Sequence, residues 1–185
     1  MIFAMLWLFP LLLPQAPTED GLESARKNVQ ILAKELGPAH EESLRALMHL
    51  GVILRQKEEF KEARFVSDQA LSIAKEEFPP GHPLLSEILN VAALVRDEQG
   101  FEDDAEEYYR QALAIAEHAH GPDSKFVGVI LFNLAWCLLD QNSPSEAGYL
   151  LERSLAITKK ELGREHPDFG STLHSIVGAY MRSGS

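Results

Sequence analysis

Asn28 to Glu41 reads NVQILAKELGPAHE, and the same kind of stretch returns three times: ALSIAKEEFPPGHP from Ala70, ALAIAEHAHGPDSK from Ala112 and SLAITKKELGREHP from Ser154. The starts at 28, 70, 112 and 154 lie 42 residues apart, and no insertion breaks the register. A strict period of this length marks a repeat array, in which each unit buries its apolar face against its neighbours. Every copy has the same order. An apolar helical stretch (Leu71 and Ile73, Leu113 and Ile115, Leu155 and Ile157) runs into a charged turn. A break follows at Gly37-Pro38, Pro79-Pro80-Gly81, Gly121-Pro122 or Gly163. Glycine tolerates the left-handed geometry that closes a helix, and proline cannot continue the hydrogen-bond ladder. Pro83 and Pro167 then stand where a first helical residue stands, and there the missing N–H costs nothing. The stretch is the end of one helix, a short joint and the start of another.

Working outward, the chain reads as helix pairs. In the first, Leu47, Leu50, Gly51 and Leu54 recur at i, i+3, i+4 and i+7, one face of a helix, and after a turn at Lys57–Glu59 the second helix carries Phe60, Ala63, Val66, Ala70, Leu71 and Ile73. The next pair uses Leu89, Ala92, Ala93 and Val95, a turn at Gln99-Gly100, then Ala105, Tyr108, Tyr109, Ala112, Leu113 and Ile115. The third uses Leu131, Leu134, Ala135 and Leu138, then Ala147, Leu150, Leu151, Ser154, Leu155 and Ile157. Between them Ser143-Pro144-Ser145-Glu146 reads as a capping box with proline at the first helical position. Three sets of small residues (Gly51, Ala93 and Ala135; Ala63, Ala105 and Ala147; Ala70, Ala112 and Ser154) mark where paired helices approach closely. A larger side chain at such a point costs about 1–3 kcal/mol. The expected organisation is a half-repeat helix over 17–36, repeats over 37–78, 79–120 and 121–162, and a partial repeat over 163–185.

The two ends are read with alternatives. Residues 2–14, IFAMLWLFPLLLP, are almost purely apolar and too short to span a bilayer. They have the length of a secretory signal's hydrophobic region, with cleavage after Ala16, although no Lys or Arg precedes them. A retained apolar anchor and a degenerate first helix are the other readings. Export, periplasmic or extracellular, is expected if residues 1–16 are a signal; the cytoplasm is expected otherwise. Val29, Ile31 and Leu32 are expected to carry the apolar face of the opening helix, and Leu173, Ile176, Val177 and Tyr180 that of the closing one. The closing helix reads as part of a longer array, as a lid, or as a self-association surface.

At 185 residues the chain is long enough for one domain with a sizeable core. Lys+Arg 17 against Asp+Glu 28 gives a net charge of −11, which argues against nucleic acid or an anionic membrane as the main partner. The single cysteine, Cys137, excludes an intrachain disulfide and any paired-cysteine metal or redox motif. No catalytic, cofactor or metal constellation is legible. His40, His82 and His166 recur at the joints and read as caps, because repeat geometry strings them along one edge. His118 and His120 diverge at a helix end, and nothing orients Cys137 toward His174. The acidic run Asp97–Glu107 reads as a solvated helix face, with a docking patch for a basic partner as its alternative.

The helix pairs, the small close-approach residues and the turn Gln99-Gly100-Phe101 resemble the tetratricopeptide repeat. The 42-residue form with the joint Leu162-Gly163-Arg164-Glu165-His166-Pro167 is similar to its kinesin-light-chain type. The motif is carried by Leu47, Leu50, Gly51, Leu54, Phe60, Ala63 and Ala70, and the resemblance runs from Glu19 to Arg182. Ser67 and Pro144 depart from the usual aromatic, and Arg96 from an apolar residue. The resemblance implies an all-α, right-handed superhelix (an α-solenoid) of antiparallel helix pairs, whose first helices line a concave groove for a peptide or partner protein. In this register the groove positions are Arg45, Met48, His49, Val52 and Arg55, then Glu87, Asn90, Val91, Leu94 and Asp97. They continue with Val129, Phe132, Asn133, Trp136 and Asp140, then His174, Ser175 and Arg182. Trp136 reads either as packing within its pair or as a groove anchor. The expected function is a non-catalytic protein-interaction scaffold whose ligand brings an apolar or aromatic anchor. The alternatives are an assembly module that self-associates through its last helix and a piece of a larger regulatory protein.

Overall fold

The computed structural model describes residues 19–163 and 165–183. The apolar run over residues 2–14 and the cleavage expected after Ala16 lie outside the described residues. These contain eight helices and no strand: α1 (Glu19–Glu35), α2 (Glu41–Gln56), α3 (Phe60–Glu77), α4 (Pro83–Asp97), α5 (Glu102–His120), α6 (Lys125–Asp140), α7 (Pro144–Leu162) and α8 (Pro167–Ser183). The first helices of the pairs begin at Glu41, Pro83, Lys125 and Pro167, and the second at Phe60, Glu102 and Pro144; both series step by 42 residues.

Local chemistry sets these boundaries. At the joints before α2, α4 and α6 the preceding residue accepts one of the orphan N–H groups of the new helix. His40 Nδ1 accepts from Glu42 N (3.2 Å), His82 Nδ1 from Leu84 N (3.3 Å) and Ser124 Oγ from Val127 N (3.4 Å). The joint histidines His40 and His82 are therefore caps, as their spacing suggests. Within each pair the turn is also repeated. Glu58, Gly100 and Asn142 adopt positive φ (62°, 77° and 59°). The next residue then donates its N–H five residues back, Glu59 to Leu54 O, Phe101 to Arg96 O and Ser143 to Leu138 O, at 2.8–3.0 Å. Asparagine and glycine tolerate this left-handed conformation, whereas glutamate carries a Cβ clash worth about 1–2 kcal/mol. Glu58→Gly is expected to stabilise the chain by about 0.5–1 kcal/mol after glycine's greater unfolded entropy is subtracted. Urea unfolding checks this, and a loss of stability would contradict it.

The same turn corrects the capping-box expectation. α7 begins at Pro144, but Ser143 (φ −110°, ψ 59°) makes no side-chain cap hydrogen bond. Its backbone lies outside the extended region that aims an N-cap hydroxyl at the helix, because its N–H is held by Leu138 O.

The chain divides into two compact units, one running through Ile115 and one from Ala116 onward. In the first, α1, α2, α3 and α4 pack in succession and α2 also meets α4. Ala63, Ala70, Ala74, Ala92, Ala93, Ala105 and Ala112 are fully buried, so the small-residue sets do lie at close approaches. A Cβ at Gly51 would stand 3.9 Å from the Ala63 carbonyl oxygen. Arg96, the polar departure, is 5% exposed and held from three sides. It donates to Ala92 O (3.1 Å) and to Asp68, and it lies 4.5 Å over the Tyr108 ring. A buried guanidinium is tolerable only with such partners. The expectation for α1 is corrected in part: Val29 and Leu32 are half-buried, Ile31 is 41% exposed, and Leu22 and Ala25 are its buried residues. Among the described helices α1 packs on α2, so one side of it suffices.

In the second unit α6 packs on α7 and α7 on α8. Leu131, Leu134, Ala135, Ala147 and Leu151 are fully buried, and Ser154 Oγ donates to Gly128 O (2.8 Å). The closing helix also departs from expectation. Ile176 is buried, but Leu173, Val177 and Tyr180 are 45%, 51% and 42% exposed. Ile176, Thr172 and Ala179 make the buried face instead.

Candidate functional site

The candidate surface is built from the first helices, and its two parts belong to different units. In the first unit, α2 and the end of α4 are tied by two ion pairs, 42 and 43 residues apart in sequence. Arg45 Nη1 donates to Glu87, and Arg55 Nη1 donates to Glu98 Oε1 at 2.5 Å. Glu41 extends the first tie, 3.8 Å from Arg45 and 3.6 Å from His82 Nε2. Arg45 and Glu41 are half exposed, so their pairing contributes at most about 1 kcal/mol. Arg55 and Glu98 are different: 11% and 21% of their side chains are exposed. Burial pushes the Glu98 carboxyl above its ordinary range, and the Arg55 charge and hydrogen bond pull it only part of the way back.

Between these ties lie Met48 and His49, half-buried, and Val52, Asn90, Val91 and Leu94, all buried, at 6%, 1%, 3% and 7% exposure. Asp97 is half-buried at the end of α4. Burial lowers the His49 pKa below 6.5. The folded state therefore holds fewer protons on this ring than the unfolded chain does. The stability His49 contributes is present above the unfolded pKa and is lost as pH falls through the depressed folded value. His49→Gln is expected to lose less stability than wild type between pH 7 and pH 5 in paired urea titrations. Parallel losses would refute this.

In the second unit Phe132 and Asn133 are buried, at 3% and 6% exposure, and Ser175 at 4%. Val129 and Trp136 are half-buried; Asp140 and His174 are exposed. The side chain of Arg182 lies outside the described residues. The Trp136 ring meets Phe132 edge to face at 6.3 Å, and its indole N–H is buried without a hydrogen-bond partner among the described residues. Buried indole N–H groups normally find an acceptor. Cys137 is fully buried and accepts from Gln141 Nε2 at 3.6 Å, which makes it a core residue.

The register thus places polar and apolar first-helix positions together on α2 and α4, but accessibility is narrower than the sequence suggests. Arg45, Met48, His49, Trp136 and His174 reach the surface, whereas Leu94 and Phe132 are buried. Sequence reasoning missed Glu98 and the pairing of both arginines. The signal was opposite charge at one repeat's separation, Arg45 with Glu87. The acidic run is likewise engaged in part: Glu98 holds Arg55, Glu106 accepts from Arg110 (2.8 Å) and Glu107 accepts from Gln111 (2.8 Å). No group of three or more metal-ligating side chains occurs among the described residues. No helix among them is long and apolar enough to cross a membrane.

Two family models, each described as tetratricopeptide repeat, match residues 43–84 and 84–160. Similar curated proteins are clustered mitochondria protein homologs. The one from Aspergillus clavatus is 28% identical over 131 residues, covering 70% of this chain and 10% of the relative. The one from Aspergillus oryzae is 26% identical over 148 residues, covering 80% and 12%. The chain thus spans about a tenth of the length of these relatives. Among solved structures, the putative kinesin light chain TPR-like repeats of Podosopora anserina superpose with a TM-score of 0.73 at 24% identity, over 89% of this chain and 78% of that one. BtubC (BKLC) from P. vanneervenii also gives 0.73, at 21% identity, over 89% and 66%. These two likenesses concern the fold.

Proposed function

Because the chain belongs to the tetratricopeptide-repeat family, we propose that it is a non-catalytic scaffold that binds a peptide or partner protein on the surface of its first helices. The observation that carries this reading is Trp136. It is a half-buried indole on a first helix, packed edge to face on Phe132. A ligand that laid an apolar side chain on the exposed part of this ring would gain that contact. Aromatic anchors of this kind dominate binding energy. The ion pairs at Arg45 and Arg55 support a ligand of little net charge in the first unit, since both cations already have carboxylates. The apolar leader Ile2–Pro14 supports placing the scaffold outside the cytoplasm, and an intact mass beginning at Pro17 is what that placement expects.

The test is selection of binders from a random peptide library on the wild-type chain, followed by titration on Trp136→Ala and His174→Ala. Trp136→Ala is expected to weaken binding about 30-fold, the equivalent of about 2 kcal/mol, with helicity and melting retained. Unchanged affinity in a folded Trp136→Ala chain would remove the proposal. A second reading, assembly through the last helix, is favoured by the exposure of Leu173, Val177 and Tyr180. A strict monomer at all concentrations would remove that one.

A further inference from the structure

A hollow in the first unit carries chemistry that the scaffold reading does not use. The end of α3, the joint after it, the first half of α4 and α5 up to Ile115 enclose about 390 Å³. The walls are Phe78 and Pro80 of the joint, Leu85 and Leu89 of α4, and Ala114 and Ile115 of α5. Two polar side chains reach it, Lys75 and Gln111. Leu85 and Leu89 are buried, at 5% and 1% exposure, so the floor is part of the core. Phe78 is fixed as a wall. Its ring stacks on His82 at 4.3 Å, and His82 is itself held by capping Leu84 N. The hollow is therefore shaped before anything enters it, which lowers the cost of binding.

The repeat register shows what is particular to this place. Lys75 and Gln111 correspond to Glu117 and Arg153 in the second unit. There Arg153 Nη2 donates to Glu117 Oε1 at 2.7 Å, and the two charges satisfy each other. One repeat earlier the same positions are Ala33 and Gln69, which carry no charge. Of the three places, the middle one alone sets a cation at the edge of an apolar hollow, and no carboxylate pairs with it among the described residues. Lys75 Nζ lies instead 5.5 Å over the Tyr108 ring. An apolar body in the hollow with a carboxylate at its edge would meet both features. Size narrows the ligand further. At about 30 Å³ each, the share of a water molecule in the liquid, the hollow takes roughly a dozen non-hydrogen atoms. A peptide main chain fits less well, because it brings N–H and C=O groups that each need a partner. The amide nitrogen of Gln111 is already donated to Glu107, at 2.8 Å.

We propose that this hollow binds a small carboxylic acid, its apolar part against Phe78 and Leu89 and its carboxylate on Lys75 Nζ. The site is separate from the surface around Trp136, and the proposal stands independently of the scaffold reading. The test uses the full chain and two probes, octanoate and octanamide, which share an alkyl body and differ in charge. Isothermal titration at low salt is expected to show octanoate binding saturably and about 10-fold tighter than octanamide. Lys75→Gln, at an exposed position, should remove that advantage and leave the weaker octanamide binding unchanged. Ala114→Phe, also at an exposed position, should fill the hollow and abolish binding of both probes with the melting curve retained. Equal affinity for the two probes, octanoate affinity unchanged in Lys75→Gln, or octanoate binding that survives Ala114→Phe overturns the proposal. The absence of saturable octanoate binding does the same. So does a peptide with a C-terminal phenylalanine that displaces octanoate and binds more tightly, because the occupant would then be a peptide terminus.

Discussion

Tyr109→Ala is expected to remove about 3–5 kcal/mol of stability, the range for truncating a large buried aromatic. Tyr109 is the largest fully buried side chain among the described residues. It lies on α5 between Ala105 and Ala112, both at 0% exposure. Ala105 and Ala112, one turn to either side on the same face of α5, are too small to fill the gap. The equivalent positions show how local the packing is. Ser67 and Leu151 occupy the same register, both fully buried. Each repeat therefore fills this point with a different volume. Tyr109→Leu, borrowing the third repeat's solution, is expected to lose less than Tyr109→Ala but not to be neutral. Since no helix pair buries its face alone, the loss should spread to neighbouring pairs and lower the cooperativity of urea unfolding. A loss for Tyr109→Ala below about 1 kcal/mol would mean that α5 closes the gap by shifting.

Arg55→Met is the second large effect, and its size should depend on pH. Removing one member of a fully buried ion pair costs about 3–5 kcal/mol; here 11% and 21% of the two side chains remain exposed, so about 2 kcal/mol is expected near pH 7. The cause is Glu98, left as a carboxylate in a site that burial already makes unfavourable for charge. Its folded pKa lies above its unfolded value in the wild type and rises further without Arg55. For an acid raised on folding, the stability it contributes is full below the unfolded pKa and is lost as pH rises through the folded pKa. The gap between wild type and Arg55→Met should therefore narrow on acidification toward 4.5, the ordinary carboxyl value, as Glu98 takes up its proton. Arg55→Met with Glu98→Leu should recover most of the loss at pH 7, because the paired replacement leaves no orphaned charge. A difference that stays constant across this pH range, or a double variant as unstable as the single one, would show that Arg55 acts by packing alone.

These two residues also show where the sequence was legible. Tyr109 was readable as an inward position from its neighbours Ala105 and Ala112. Arg55 was readable as a first-helix surface position, but its partner was not, because Glu98 falls 43 residues away, one off the repeat period, and only side-chain reach brings the two together. Arg96 looked like a flaw in an apolar position. Asp68 and Tyr108, 28 residues before it and 12 after it, make it a junction between neighbouring helices. Phe132 and Leu94 were readable as first-helix positions, yet their burial depends on what lies over them, which periodicity does not encode. For α8 the apolar pattern predicted an inward face and was right about Ile176. Val177 carries the same spacing and yet is 51% exposed.

By itself the sequence determined where the helices begin and end and which positions approach closely. Those features follow from local chemistry: proline at Pro83 and Pro167, positive φ at Gly37 and Gly163, histidine caps, and small residues every 42 positions. Tertiary structure alone decided which charges are paired and how deeply Phe132, Trp136 and Leu94 are buried. Each of these depends on distances between side chains from different helices, and on whether a neighbour is there at all, neither of which a periodic pattern of residues records.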